Sequence, residues 1–181
     1  MQYDFTAIPD ADVPQAVEPI FQHILATYAS EANKTGLWSH WSGYLATDRY
    51  QMSDKFEYFA IRNSAAVIDT SPLYKYRING SDAERFLAGV LARDIRKCRP
   101  GQAHYTVWCD DDGWVVEDGV ILRHSDDEFL LTAAEPNMAY LQDLAGRMAV
   151  QIEDVSDDFG ALALQGPYAR EILKQLAPEM E

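Results

Sequence analysis

The segment AHYTVWCDDDGWVVEDGVILRHSDDEFLLTAA, residues 103–134, decides the fold, because three strand-forming runs are separated by two short acidic turns. Gaps this short join antiparallel neighbours, so the segment predicts a β-meander. Strands and helices mix along the chain without a strict βαβ rhythm. The sequence therefore predicts an α+β fold with a mixed, mainly antiparallel sheet and packed helices. The further strands are expected in LYKYRI (73–78), VQIEDV (150–155) and GALALQ (160–165).

Working outward from the meander, the pattern predicts helices by their apolar spacing. The helix after the Asn79-Gly80 turn is expected to begin with a capping box of Ser81 and Glu84. A helix capped by Ser53 is expected to turn Phe56 and Phe59 inward. Other helices are expected after Pro136 and at Pro167. AAVIDT (65–70) is predicted as a buried strand, and the aromatic-rich residues 37–50 as packed irregular structure.

Composition excludes several classes of protein. The chain has 181 residues, 48% of them hydrophobic and 24% charged, which is typical of a globular domain and not of a disordered chain. Its formal net charge of −14 argues against nucleic acid or an anionic membrane as a partner. The two cysteines show no metal-ligand spacing, so no metal site is expected. We found neither a signal peptide nor a membrane-spanning run, which predicts a cytoplasmic location.

Asp118 is the candidate functional residue that the residues themselves single out. Strand alternation places it on one face with Trp114, Val116, Val120 and Leu122, and a carboxylate among apolar side chains is costly unless it is paired. One interpretation is an edge strand with a partly wet face, or a carboxylate bonded to backbone N–H groups. The other is a buried acid that handles a proton or a cationic nitrogen.

The neighbouring residues give weaker signals. Glu117 falls on the opposite face and is expected to be solvated, so it forms no acid/base dyad with Asp118. Gly119 would let a ligand or another backbone come close. The acidic run 110–112 is too short for a calcium loop and is expected to be a hairpin turn. Ser71 precedes a proline without a nearby histidine, which argues against a hydrolase nucleophile.

Four blocks of sequence, in this order, resemble the N-terminal part of the glycine-cleavage T-protein (aminomethyltransferase) superfamily. They cover residues 55 to 175, and GWVVED followed by ALQGP is the most specific pair. On this resemblance, residues 53–181 would form a T-protein-like folate-binding domain, incomplete relative to the family, after an N-terminal helical or irregular segment at 1–52. The blocks are AIRNSAAVIDTSPLYKYRINGSDAERFL, PGQAHYTVWCDDDGWVVEDGVILR, EFLLTAA and VSDDFGALALQGPYAREIL.

The resemblance implies a function and a set of site residues. In the family pattern Gly-Gly-apolar-apolar-Asp-Asp, the second Asp lies against the pteridine of tetrahydrofolate, and it matches Asp118. The implied role is to position the folate and manage the proton at its N5, which accepts a one-carbon unit. Tyr105 matches a family tyrosine near the folate, and Thr132, Val116 and Leu73 are the other residues expected to line the site.

Departures from the family pattern suggest a particular kind of member. Thr132 replaces the usual Asn, Glu117 replaces the first Asp, and Asp69-Thr70-Ser71-Pro72-Leu73 replaces Asp-Val-Ser-His-Met. These changes favour a paralogue that acts on another methylated or aminomethyl donor, such as a folate-dependent demethylase or part of a methylamine-oxidising enzyme. A partner chain is expected to carry the family's remaining domains. The alternatives are a non-catalytic folate-binding regulatory or assembly protein, and a structural subunit of a larger methylamine-oxidising complex.

Overall fold

A computed structural model describes residues 30–179. Residues 1–29 of the predicted N-terminal segment lie outside the described residues. The strands are β1 (Trp38–Trp41), β2 (Tyr44–Thr47), β3 (Ala66–Asp69), β4 (Tyr74–Asn79), β5 (Ala103–Cys109), β6 (Val115–Arg123), β7 (Glu128–Ala133), β8 (Gln151–Asp154) and β9 (Leu162–Gln165). The helices are α1 (Lys55–Asn63), α2 (Ala83–Val90), α3 (Met138–Ala145) and α4 (Ala169–Leu176).

These elements form two units. Of the described residues, one unit comprises 30–71 and 160–179, and the other comprises 72–159. The two units do not coincide with the predicted segment 1–52 and the predicted folate-binding domain 53–181. The extent of the folate-binding domain stays a prediction. The predicted α+β class with mainly antiparallel pairing is confirmed, because every strand pair in both units is antiparallel.

The unit of residues 72–159 contains a five-stranded sheet in the order β5-β6-β7-β4-β8. The predicted meander β5-β6-β7 is confirmed, and β4 returns to pair with β7 and β8. One face of this sheet, here called the inner face, packs against α2 and α3. Its core is built from large, fully buried side chains, namely Tyr76, Ile78, Leu87, Trp108, Ile121, Phe129, Leu131 and Leu141.

One detail of this unit differs from the sequence-based expectations. Helix α2 begins at Ala83 with Asp82 at the N-cap position, and no side chain caps it, so the Ser81–Glu84 capping box is wrong. Asp82 instead accepts a hydrogen bond from the Ala149 N–H at 2.9 Å. The buried residues of α2 are Ala83, Phe86 and Leu87, which have the apolar spacing of a helix that packs on one face.

The other unit contains two antiparallel pairs, β1-β2 and β3-β9. Residues 37–50 are not irregular, because Ser42 and Gly43 both have positive φ and close a two-residue hairpin turn between β1 and β2. The strand at 66–69 exists but is not buried, with Val67 56% exposed. The inward orientation predicted for Phe56 and Phe59 is also wrong, since both are exposed on α1. Within residues 30–179, no helix is long and apolar enough to cross a membrane.

Candidate functional site

Asp118 lies in the middle of β6, on the face of the sheet opposite the helices. This outer face is defined by Tyr105 on β5, Asp118 and Val120 on β6, and Thr132 on β7. Asp118, Tyr105 and Val120 are all exposed, so Asp118 is not a buried acid. The wet-face alternative describes it correctly, although β6 is an interior strand and not an edge strand.

A β-bulge shapes the end of β6 nearest the site. Trp108 pairs with Glu117 and Cys109 pairs with Val115, which leaves Val116 as an extra residue in β6. A bulge bends its strand and redirects the adjacent side chains. Val116 is 41% exposed and Val115 is 62% exposed, so the bulge presents an apolar surface next to Asp118. Trp114, which alternation had placed on the face of Asp118, lies before β6 and is exposed in the turn.

Tyr105 and Asp118 form the polar centre of the outer face. The Tyr105 hydroxyl donates a hydrogen bond to Oδ2 of Asp118 at 2.8 Å. This bond is the main reason that the pKa of the Tyr105 phenol is raised above its ordinary value, because the carboxylate stabilises the protonated phenol. A carboxylate has two oxygens with several acceptor positions, so Asp118 can accept from a ligand as well as from Tyr105.

Thr132 ties β6 to β7 through its side chain. The backbone ladder between these strands covers Ile121–Arg123 and ends there. Beyond it the Val120 N–H donates to Oγ1 of Thr132 at 2.9 Å. A Cβ on Gly119 would collide with the carbonyl oxygen of Thr132, so the glycine serves the close approach of another backbone. Thr132 therefore lines the outer face with its hydroxyl engaged by the neighbouring strand.

Leu73 and Val116 complete the set of predicted site residues. Leu73 directly precedes β4, and the registers of β4, β7 and β6 place it level with Asp118. Its carbonyl oxygen accepts a hydrogen bond from the buried Lys75 ammonium at 2.8 Å. Leu73 and Asp118 are thus at the same end of the sheet but on strands separated by β7.

Glu117 is buried, contrary to the sequence-based expectation. It was expected to be solvated, but it is only 9% exposed, on the inner face opposite Trp108. Its carboxylate accepts hydrogen bonds from the N–H groups of Asp118 and Glu135, each at 2.8 Å. These two bonds offset the cost of removing the carboxylate from water. Asn137 was also missed, and its only sequence signal was its position before a helix.

The outer face combines one carboxylate and one phenol with exposed apolar side chains. A flat, partly apolar ligand that carries N–H donors fits such a surface, since the valines offer apolar contact and Asp118 offers acceptor oxygens. Among the described residues, no group of three or more His, Cys, Asp or Glu could hold a metal ion.

A comparison with protein families identifies the relatives of this chain. The model of the GCVT N-terminal domain matches residues 21–181. The chain belongs to this family. The resemblance to the glycine-cleavage T-protein superfamily is thereby confirmed.

Curated relatives of this GCVT-type chain are named aminomethyltransferases. One from Thermoanaerobacter pseudethanolicus is 35% identical over 124 residues, which are 66% of this chain and 34% of the relative. Another from Oceanobacillus iheyensis is 33% identical over 162 residues, which are 86% of this chain and 43% of the relative. The chain thus spans less than half the length of these relatives.

The fold of the GCVT-type chain also matches a solved structure. Aminomethyltransferase T of the glycine cleavage system from Bartonella henselae superposes with a TM-score of 0.74 at 23% identity. The match covers 83% of this chain and 42% of that one. At this identity the comparison establishes the fold, and it confirms the predicted fold class.

Proposed function

We propose that the outer face of the five-stranded sheet binds tetrahydrofolate, and that the domain takes part in folate-dependent one-carbon transfer. The observation that carries the proposal is Asp118, whose carboxylate is exposed among valines and hydrogen-bonded by the Tyr105 hydroxyl at 2.8 Å. Membership of the GCVT N-terminal domain family supports it independently.

The residues of the outer face fit a pterin in chemical type. A reduced pterin is flat, with N–H groups along one edge, and Asp118 supplies acceptor oxygens for such groups. The exposed Val116 and Val120 supply apolar contact for its ring, and Tyr105 fixes one oxygen of the carboxylate. When bound, tetrahydrofolate supplies N5 as the acceptor of the one-carbon unit.

In this proposal each residue of the chain has a defined task. Asp118 orients the pterin through hydrogen bonds and holds or accepts a proton close to N5. Tyr105 keeps the Asp118 carboxylate in one orientation, because the phenol remains protonated throughout the neutral range. Thr132 holds β6 against β7, so that the outer face keeps its shape. A group held in position before the ligand arrives is more effective than one that must reorganise.

The donor and the partners of the whole protein belong to the same proposal. We infer a methylated or aminomethyl donor, acted on by a demethylase or aminomethyltransferase, because Thr132, Glu117 and Leu73 depart from the glycine-cleavage pattern. The relatives are more than twice as long as the segment they share with this chain. We therefore propose that complete turnover also needs those further parts, on this protein or on a partner chain.

Titration calorimetry with tetrahydrofolate under anaerobic conditions tests the proposal. The wild-type chain should bind, and Asp118→Asn should weaken binding about tenfold or more, because a charged acceptor is replaced by a neutral amide. Asp111→Asn is the matched control, since it removes the same charge from the β5–β6 turn and should bind like wild type. No binding by the wild-type chain, or equal binding by Asp118→Asn, would contradict the proposal.

A transfer assay separates an enzyme from a folate-binding regulatory or assembly protein. If tetrahydrofolate binds but no methylated or aminomethyl amine serves as donor, even with the remaining domains supplied, the non-catalytic alternative is favoured. If transfer occurs and Asp118→Asn does not slow it, Asp118 is not the catalytic residue and the domain acts as a scaffold.

A further inference from the structure

On its β5 side, the strand that carries Asp118 keeps its backbone ladder, but on its β7 side it is held at this point by side chains. The β6–β7 ladder ends at the pair Ile121 and Leu131. In residues 117–120 of β6, two backbone N–H groups are instead bound by side chains. The Val120 N–H donates to Oγ1 of Thr132, and the Asp118 N–H donates to the Glu117 carboxylate. On the β7 side, the backbone position of Asp118 therefore depends on what holds the Glu117 carboxylate.

Glu117 is anchored to the segment that follows β7. Its Oε1 accepts from the Asp118 N–H and its Oε2 accepts from the Glu135 N–H, both at 2.8 Å. One carboxylate thus bridges the backbone amides of Asp118 and Glu135, which are 17 residues apart in sequence. Because Glu117 is only 9% exposed, water competes little for these bonds.

The anchor continues into the hydrophobic core. The Asn137 side-chain amide donates to the Glu135 carbonyl at 3.0 Å, and its Oδ1 accepts from Nε1 of Trp108 at 3.1 Å. The Asn137 N–H donates to the hydroxyl of Tyr76 at 2.8 Å. Trp108 and Tyr76 are fully buried, so this chain of hydrogen bonds ties Asp118 to the hydrophobic core of the unit.

Packing alone does not account for a carboxylate at position 117. A buried charge carries a desolvation cost, and an apolar side chain of similar size would fill the same space without it. The carboxylate does what an apolar side chain could not, since it supplies hydrogen-bond acceptors for two amides at the place where the β6–β7 ladder has ended. A bridge of this kind fixes the direction in which the next side chain, Asp118, leaves the strand.

We propose that Glu117 is the positioning residue for Asp118, and that its bridge between the Asp118 and Glu135 amides sets the orientation of the Asp118 carboxylate on the outer face. The inference rests on the proposed tetrahydrofolate site where it concerns binding. Its geometric part concerns Asp118 and Tyr105 alone, and it can be measured without any ligand.

The first test compares Glu117→Gln with Glu135→Gln in the full chain. Glutamine keeps the volume of Glu117 but has one acceptor oxygen, so one of the two amides loses its partner. Glu135 is bonded to Glu117 through its backbone N–H, so Glu135→Gln removes the same charge from the same region and leaves the bridge intact. In calorimetry with tetrahydrofolate, Glu117→Gln should bind about tenfold more weakly and Glu135→Gln should bind like wild type. Equal binding by Glu117→Gln and wild type would overturn the inference.

The second test reads the orientation of Asp118 directly and separates this inference from the proposed function. The pKa of Tyr105 is followed by carbon NMR of tyrosine labelled at Cζ, with Tyr105→Phe used to assign the signal. In Glu117→Gln the pKa of Tyr105 should fall toward the ordinary value of about 10, because Asp118 no longer holds the phenol. An unchanged pKa would overturn the positioning role, whether or not tetrahydrofolate binds. If wild type fails to bind while this pKa falls, the proposed function fails and the positioning role stands.

A third variant covers the case in which Glu117→Gln does not fold. Glu117→Asp keeps the charge but draws the carboxylate back by one methylene, so that it cannot reach both amides in their present positions. We expect the same direction of change in both measurements. If neither the binding nor the pKa of Tyr105 changes in Glu117→Asp, the inference is wrong.

Discussion

Two adjacent carboxylates, Glu117 and Asp118, lie on opposite faces of the same sheet in opposite environments. Glu117 faces the helices and accepts two backbone N–H bonds, whereas Asp118 faces outward and accepts from one phenol. The inner face is closed over buried aromatic and aliphatic side chains. The outer face leaves Tyr105 57% exposed and Val116 41% exposed.

The comparison shows that β6 departs from the usual arrangement, because charged side chains lie on its buried face and apolar side chains lie on its exposed face. Its inner face carries Glu117, Gly119 and Arg123 beside Ile121, and its outer face carries Val116 and Val120 beside Asp118. Buried charge is tolerated because each charged group is matched by fixed partners, and exposed apolar surface next to a carboxylate is typical of a binding surface. Stability is therefore expected to depend on the inner face and ligand binding on the outer one.

The largest difference between the faces should appear in core truncations. Phe129→Ala on the inner face should lower the free energy of unfolding by about 3–5 kcal/mol, because a fully buried ring leaves a cavity. Val120→Ala on the outer face should cost less than about 1 kcal/mol, since the side chain is 36% exposed. Urea unfolding measures both. Similar losses for the two variants would mean that the outer face is also part of the core.

A smaller effect is expected where β6 and β7 come closest. Gly119→Ala should destabilise the unit by about 1–3 kcal/mol, because the new methyl group would collide with the carbonyl oxygen of Thr132. Gly89→Ala in α2 is the control, because its Cβ would meet open space, and it should stabilise the helix by about 0.5–1 kcal/mol. Thermal unfolding distinguishes the two. A neutral Gly119→Ala would show that β6 and β7 can separate at this point without cost.

Alternation along the strands was enough to predict the meander and to group Val116, Asp118 and Val120 on one face. It was not enough to tell which face is buried, because the apolar side chains of β6 lie mostly outside. The true inner face gave no signal of burial, since Glu117 and Arg123 look like surface residues. Arg123 is 7% exposed because the Cys98 and Ser125 carbonyls and the Glu84 carboxylate surround its guanidinium. Cys98 and Glu84 lie far from Arg123 in sequence, so they are seen as its partners only in the folded chain.

The bridge from Glu117 to Glu135 could not have been predicted for the same reason. The bridge depends on where the β6–β7 ladder ends and on the bulge in β6. Neither feature can be recognised from a single amino-acid sequence. The hairpin at 38–47 did have a local signal, because Ser42-Gly43 is a turn dipeptide. The surrounding aromatic residues obscured that signal.

The smallest effect, and the most specific, is expected in the alkaline titration of two tyrosines. The pKa of Tyr76 is raised mainly by burial on the inner face, and the pKa of Tyr105 is raised mainly by its hydrogen bond to Asp118 on the outer face. Asp118→Asn should therefore lower the pKa of Tyr105 and leave that of Tyr76 unchanged. Carbon NMR of Cζ-labelled tyrosine, with Tyr76→Phe and Tyr105→Phe for assignment, measures both values.

The same shifts determine how stability depends on pH. An acid with a raised pKa in the folded state contributes stability that is fully present below the unfolded value of about 10, and this contribution is lost as pH rises through the folded value. Wild type should thus lose stability above about pH 10 from both phenols. Asp118→Asn should remove only the part due to Tyr105, and unfolding measured between neutral and alkaline pH would detect it. If Asp118→Asn lowered both pKa values equally, the two faces would be electrostatically coupled and the separation between a structural and a binding face would be wrong.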